Sequence, residues 1–108
     1  MLFGRTRKFT IYIGLDVQDS KIQFATEEIL FRVKEKLIEF NMPFSINVVD
    51  GGYLYKNKDF VCEKGVVVTL LGASKKYVER LARIFCADFK QECVLVTTEI
   101  VKIKEFIC

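Results

Sequence analysis

Two helical stripes set among four alternating stretches predict an α+β sandwich in the order strand, helix, strand, strand, helix, strand. Such an order makes a four-stranded antiparallel sheet with both helices on one face. Size agrees with it. A chain of 108 residues, 51% of them hydrophobic, suits one core, and no repeat, low-complexity run or linker divides it, so residues 1–108 are expected to form a single domain.

Phe9, Ile11, Ile13 and Leu15 alternate with Thr10, Tyr12 and Gly14, which is a first strand with one apolar face. A polar, turn-rich connection runs from Asp16 to Phe24. From about Thr26 to Phe40 the repeat becomes helical. Leu30, Val33, Leu37 and Phe40 form the stripe, Ile29 and Phe31 flank it, and Glu27 and Glu28 sit at the positive end of the helix dipole. Pro43 prevents the helix from continuing.

Phe44, Ile46 and Val48 open the second strand, and Asp50-Gly51-Gly52 then offers a turn or a bulge before Tyr53-Leu54-Tyr55; the bulge is preferred. On that reading Lys56 to Asp59 is a polar hairpin tip and Phe60 to Leu71 the returning strand. Gly72-Ala73-Ser74 ends it. Ser74 is a natural N-cap for a helix running to about Lys90, with Val78, Leu81, Phe85 and Phe89 as its buried stripe. The last strand starts at Cys93. Its inward side meets Glu99 before recovering at Val101 and Ile103, so an irregularity is expected near Thr97–Glu99. Right-handed crossovers then place the first and third strands in the centre of the sheet, the ferredoxin-like plan.

A strand covered on one face should alternate, yet Val66 to Leu71 is apolar on both parities, and Val94 and Val96 accompany Cys93 and Leu95. Something must cover the second face. Self-association through the sheet, as a dimer or trimer, is the expected cover, because no apolar run reaches the 18 residues of a membrane helix.

Composition removes several chemistries. With no His, neither Ser-His nor Cys-His activation nor a mixed zinc site can be built. An enzyme would have to use carboxylates, Lys, Tyr or a bare Cys, and Asp16, Asp50 and Glu63 stand at strand ends where carboxylates could converge. Cys62, Cys86, Cys93 and Cys108 show no C-x-x-C spacing and are expected to be reduced thiols acting as small hydrophobes in a cytoplasmic protein. No metal or cofactor is called for. The first residues are charged but lack the apolar stretch of an export signal.

Two segments are candidate ligand sites. Asp50, Gly51, Gly52, Tyr53 and Tyr55 form a corner where bare backbone admits close approach and two tyrosines share a parity; ordinary cross-strand packing explains the same residues. Ser74, Lys75 and Lys76 put backbone N–H groups and two lysines at a helix start, a small-anion arrangement that is also a plain cap with solvated lysines. Lys76, Arg80 and Arg83 make a basic stripe that a solvated helix face accounts for. Tyr12 stands where an RNA-binding sheet carries a stacking ring, but the third strand offers Val66 and Val68 instead of aromatics. With a net charge of only +3, nucleic acid is not the favoured partner.

Phe9 to Leu15, the Val49-Asp50-Gly51-Gly52-Tyr53 corner, Glu63, and Phe89 to Leu95 together resemble a bacterial family of small domains. That family carries a "YFGL" first strand, an aspartate-glycine corner followed by an aromatic, and a "Q-E-S-V-L" entry to the last strand. Here Cys93 replaces the serine, and Tyr53 or Tyr55 a tryptophan. The resemblance implies the fold and transfers no catalytic residue. In plan the chain is also similar to the nitrogen-regulatory PII-like group, whose trimers bury the sheet and bind nucleotides or small anions between subunits. What this implies is a PII-like sensor or small-anion-binding module. The alternatives are a small enzyme using carboxylates and tyrosines at the Asp50–Tyr55 corner, or a nucleic-acid-binding domain.

Overall fold

In the computed structural model, which describes residues 4–14, 25–54, 58–91, 93–103 and 107–108, the elements follow the expected order. They are β1 (Gly4–Gly14), α1 (Thr26–Glu39), β2 (Ser45–Leu54), β3 (Phe60–Leu71), α2 (Lys75–Asp88) and β4 (Leu95–Ile103). The sheet order is β2-β3-β1-β4, with every neighbouring pair antiparallel. Leu15 and Asp16 lie outside the described residues, as do Tyr55, Lys56 and Asn57.

Register explains the core. Phe9, Ile11 and Ile13 on β1 face Leu70, Val68 and Val66 across the ladder to β3, and all six are buried. Onto them α1 lowers Ile29, Val33 and Leu37, and α2 lowers Val78, Leu81 and Phe85, with Phe89 just beyond its end. The Phe85 and Phe89 rings stack with centroids 6.0 Å apart. Burying each such side chain is worth about 1.5–3 kcal/mol. The α1 stripe is rotated from the one expected: Ile29 is fully buried, Leu30 and Phe40 are only partly so, and Phe31 is exposed.

Both helices stop in the same way. After α1 the Met42 N–H donates to the Leu37 carbonyl and Asn41 to Ile38; after α2 Gln91 donates to Cys86 and Lys90 to Ala87. The residue at the reversal is left-handed in each case, Asn41 at φ 55° and Lys90 at φ 51°. These are Schellman endings made without glycine. At the other end of α2, the Ser74 hydroxyl accepts from the Tyr77 N–H at 3.3 Å, as expected of an N-cap.

Two expectations are corrected by the register. β2 and β3 pair one to one from Ser45↔Thr69 to Leu54↔Phe60, so Asp50-Gly51-Gly52 is neither bulge nor turn but continuous extended strand. β1 and β4 likewise pair without a break from Tyr12↔Leu95 to Gly4↔Ile103, so no irregularity lies at Thr97–Glu99. The inward parity of β4 is the other one: Val96 opposes Ile11 and packs with Val94 on the core, leaving Leu95 60% exposed. Glu99 therefore lies on the outer face, where its carboxylate meets Lys8 Nζ at 3.3 Å.

The sheet outgrows its helices. β2 and β3 continue as a two-stranded ribbon beyond Gly14 at one end, and β1 and β4 as a second ribbon beyond Leu71 at the other, giving extents of 49 × 30 × 26 Å. No helix among the described residues is long and apolar enough to cross a membrane.

Because Lys90 holds a conformation that glycine adopts without strain, Lys90→Gly should stabilise the fold by about 0.5–1 kcal/mol. Thermal unfolding would show this as a rise of roughly 2–4 °C in Tm. A fall in Tm would show that the Schellman geometry is not what ends α2.

Candidate functional site

Where β3 leaves the body of the sheet, its outer face carries Glu63 in an unusual setting. Side chains alternate along a strand, so Glu63 shares its face with Gly65 two residues on, with its cross-strand partner Gly51, and with Gly14, the partner of Gly65. Three neighbouring positions on that face thus lack a Cβ, and Glu63 rises from a floor of bare backbone. Gly14 matters most. A Cβ there would stand 3.0 Å from Glu63 Oε1 and 3.1 Å from Gln91 Oε1, so both side-chain ends would have to give way by a few tenths of an ångström.

Gln91 is brought there by the end of α2. Its backbone N–H is held 2.9 Å from the Cys86 carbonyl by the Schellman turn, and its Nε2 donates to the Phe89 carbonyl at 3.1 Å. With the amide nitrogen so engaged, the carboxamide oxygen is directed to the space above Gly14. A half-buried carboxylate and a fixed amide therefore converge over glycine backbone. Beside them an open depression of about 540 Å3 is lined by Asp50, Gly51, Gly52, Cys62, Glu63 and Lys64.

The expected corner is only partly gathered. Gly51 and Gly52 line the depression, while Asp50 pairs with Lys64 and by alternation projects from the face opposite Glu63, so these two carboxylates form no catalytic pair. Tyr53 opposes Val61 in the ladder, and Tyr55 lies outside the described residues. At the second candidate, the Ser74 hydroxyl is engaged in capping α2, Lys75 Nζ lies 3.8 Å from Glu79 in an exposed pair, and Lys76 is exposed. Glu63 and Gly72 are nine residue steps apart along β3 and its exit, roughly 30 Å at strand rise, so the two candidates occupy opposite ends of the sheet.

Other expectations shift with the geometry. Of the two roles open to Val66 and Val68 from the sequence, core or subunit interface, the core under the helices is the one they take, and the outer face of β3 presents Gly65, Val67 and Thr69 instead. Cys62, Cys93 and Cys108 are exposed and only Cys86 is half-buried, so the thiols are not core filler. Among the described residues no three of Cys, Asp and Glu gather closely enough to hold a metal ion. Gln91, Gly14 and Gly65 were not singled out from the sequence. The available signal was the glycine interrupting each of two apolar strands, a mark of close approach to the backbone.

The chain is similar to a phage SAM lyase. Its structure matches that of such a lyase in complex with S-methyl-5′-thioadenosine at TM-score 0.69 and 26% identity, over 94% of this chain and 84% of the other. An apo phage SAM lyase matches at TM-score 0.63 and 18% identity, over 95% and 94% of the two chains. Bacillus subtilis GlnK in complex with ATP matches at TM-score 0.62 and 11% identity, over 94% and 85%. No protein family matches the sequence, and no curated protein matches it significantly. The fold is that of the small PII-like, ferredoxin-like domains.

If Glu63 lies over Gly14, the two positions are energetically coupled. Gly14→Ala should destabilise by about 0.5–1 kcal/mol when Glu63 is present and be neutral or stabilising in the Glu63→Ala background, measured by denaturant unfolding of all four proteins. Simple additivity would place Glu63 elsewhere.

Proposed function

We propose that the chain is a lyase of S-adenosylmethionine that works as an oligomer packed through the outer face of its sheet. The observation that supports the activity is the likeness to a phage SAM lyase, which spans nearly the whole chain and, at 26% identity, extends to sequence. The glycine floor supports the location. Bare backbone at Gly51, where only the Glu63 carbonyl comes within 4 Å, admits a flat nucleoside close to the sheet, and Glu63 and Gln91, whose side chains meet over Gly14, supply polar groups at its rim. Gly51 and Gly52 line the depression beside Glu63 and are assigned to the site, whereas Asp50, on the opposite face, is not. The Ser74–Lys76 helix start, at the far end of the sheet, does not.

The chemistry suits a chain without His. Breaking the bond between the sulfonium sulfur and the γ-carbon of the methionine moiety leaves the electron pair on sulfur, which departs as the neutral thioether S-methyl-5′-thioadenosine. The substrate's own carboxylate oxygen takes the vacated carbon and closes a five-membered lactone. One anion and one cation disappear together and no proton moves, so no general base is needed. Glu63 is assigned to the α-ammonium, which keeps its charge throughout. A carboxylate aimed at the sulfonium would hold the ground state more tightly than the transition state and slow the reaction.

Incubation of the purified protein with S-adenosylmethionine should release S-methyl-5′-thioadenosine and homoserine lactone, resolved by liquid chromatography and mass spectrometry. Glu63→Gln should lower kcat/KM about 100-fold, the cost of misplacing reacting groups, with Tm and assembly unchanged. Assembled wild-type protein that binds S-methyl-5′-thioadenosine but never forms it would instead support the sensor-like reading.

Assembly rests on what the outer face exposes: Tyr12 at 42%, Leu95 at 60%, Leu71 at 50% and Val49 at 37%. A sandwich with one bare apolar layer is completed by a second copy. Light scattering at micromolar concentration should give a dimer or trimer, and Leu95→Glu should dissociate it, since burying an unpaired carboxylate costs several kcal/mol. A monomeric wild type would overturn the packing.

A further inference from the structure

The end of the molecule away from Glu63 gathers positive charge. Arg5 and Lys102 are direct partners in the β1–β4 ladder, and Arg7 lies two residues along on the same face as Phe9 and Ile11. The Gly72 N–H donates to the Arg7 carbonyl at 2.9 Å, and three residues after Gly72 α2 begins with Lys75 and Lys76. All five side chains are exposed. Among the described residues, Lys75 alone of the five has an ion pair, with Glu79. The chain's net charge is +3, so the rest of the molecule, without these five cations, sums to −2. Like charges directly opposite one another in a ladder repel, so Arg5 and Lys102 are kept together at a cost that an anion would relieve.

We propose that this ribbon end binds the phosphate backbone of nucleic acid, through charge and without reading bases. The cations are strung along a protruding ribbon. Arg5 and Arg7 are separated by two strand rises, roughly 6.5–7 Å, a spacing suited to successive charges of a polymer. Arginine guanidinium groups grip phosphate oxygens in pairs. No aromatic ring stands on this face of the ribbon among the described residues; its apolar member is Ile100, the partner of Arg7. Sequence-independent contact with phosphates follows, with marked dependence on salt.

The test is fluorescence anisotropy of a labelled 20-nucleotide single-stranded DNA titrated with the wild-type protein from low to physiological salt. Five phosphate contacts predict a slope of log K against log salt near −3.5, at about −0.7 per contact on a single strand. The double variant Arg5→Ala/Lys102→Ala should weaken binding at least tenfold and flatten the slope by about 1.4, while Lys34→Ala/Lys58→Ala, at exposed positions away from this ribbon, leaves both unchanged. Release of S-methyl-5′-thioadenosine and oligomeric state should be the same in all variants, so the result is independent of the Glu63 site. Absence of binding at low salt, an unaltered slope in Arg5→Ala/Lys102→Ala, or equal competition by polyglutamate at matched charge would each overturn the proposal.

Discussion

The dominant constraint is a mismatch of lengths between layers. Each helix has 14 residues, about 21 Å at helical rise, whereas β3 alone has 12, about 40 Å at strand rise. Two helices of that length can roof only the middle of the sheet. Ile11, Ile13, Val66 and Val68 occupy that middle and are fully shielded, while Leu54, Phe60 and Ile100 on the overhanging ribbons are more than half exposed. A two-stranded ribbon alone in water is marginal, so both overhangs borrow their stability from the body of the sheet and from whatever packs on its outer face.

The same mismatch creates the places where function can sit. At one end, the ribbon of β2 and β3 carries Glu63 just past the last buried core pair, close enough to the body for Gln91 to reach it from the end of α2. Glycine at Gly14 and Gly65 belongs to this edge. A β-branched residue at either position would strengthen the strand, but at Gly14 it would enter the space that the Glu63 and Gln91 side chains occupy, and at Gly65 it would press on the Ile13 carbonyl, 3.1 Å from a Cβ there. Strand propensity has been given up where backbone access is needed, and the buried pairs next to it, Ile13 with Val66 and Ile11 with Val68, hold the register regardless.

Much of the fold was legible because local signals agreed with one another. β3 begins and ends where the alternation said, Ser74 caps α2, and all four members of the α2 stripe are buried. The failures share one cause, which is that a non-local partner decides the outcome. Gly51-Gly52 looks like a break when read alone, but extended backbone paired with Glu63 and Cys62 is simply strand. On β4 both parities are apolar, and only the ladder with Phe9 and Ile11 selects Val94 and Val96 as the inner set, which returns Glu99 to the surface beside Lys8. The candidate site was half legible for the same reason. Glu63 and the glycine corner are visible in the chain, whereas the meeting of Glu63 with Gln91 over Gly14 needs a crossover and a Schellman turn to bring residues 14, 63 and 91 together.

Under the proposed activity, covering the outer face and accelerating a sulfonium cleavage would be linked by electrostatics. In the internal displacement the substrate's carboxylate and sulfonium charges annihilate, so water, which solvates the separated charges better than the neutral products, holds the reaction back. Half-buried at the edge of a bare sheet and still open to water, Glu63 would act through a high dielectric, where two unit charges 4 Å apart interact by only about 1 kcal/mol. At an effective dielectric nearer 20 the same contact is worth about 4 kcal/mol, enough to fix the α-ammonium and so the approach of the carboxylate to the γ-carbon. A second copy packed over Tyr12 and Leu95 would lower the dielectric on the face that bears Glu63 while removing the apolar surface the helices leave uncovered. The proposed assembly and the proposed chemistry would thereby both follow from the single uncovered layer.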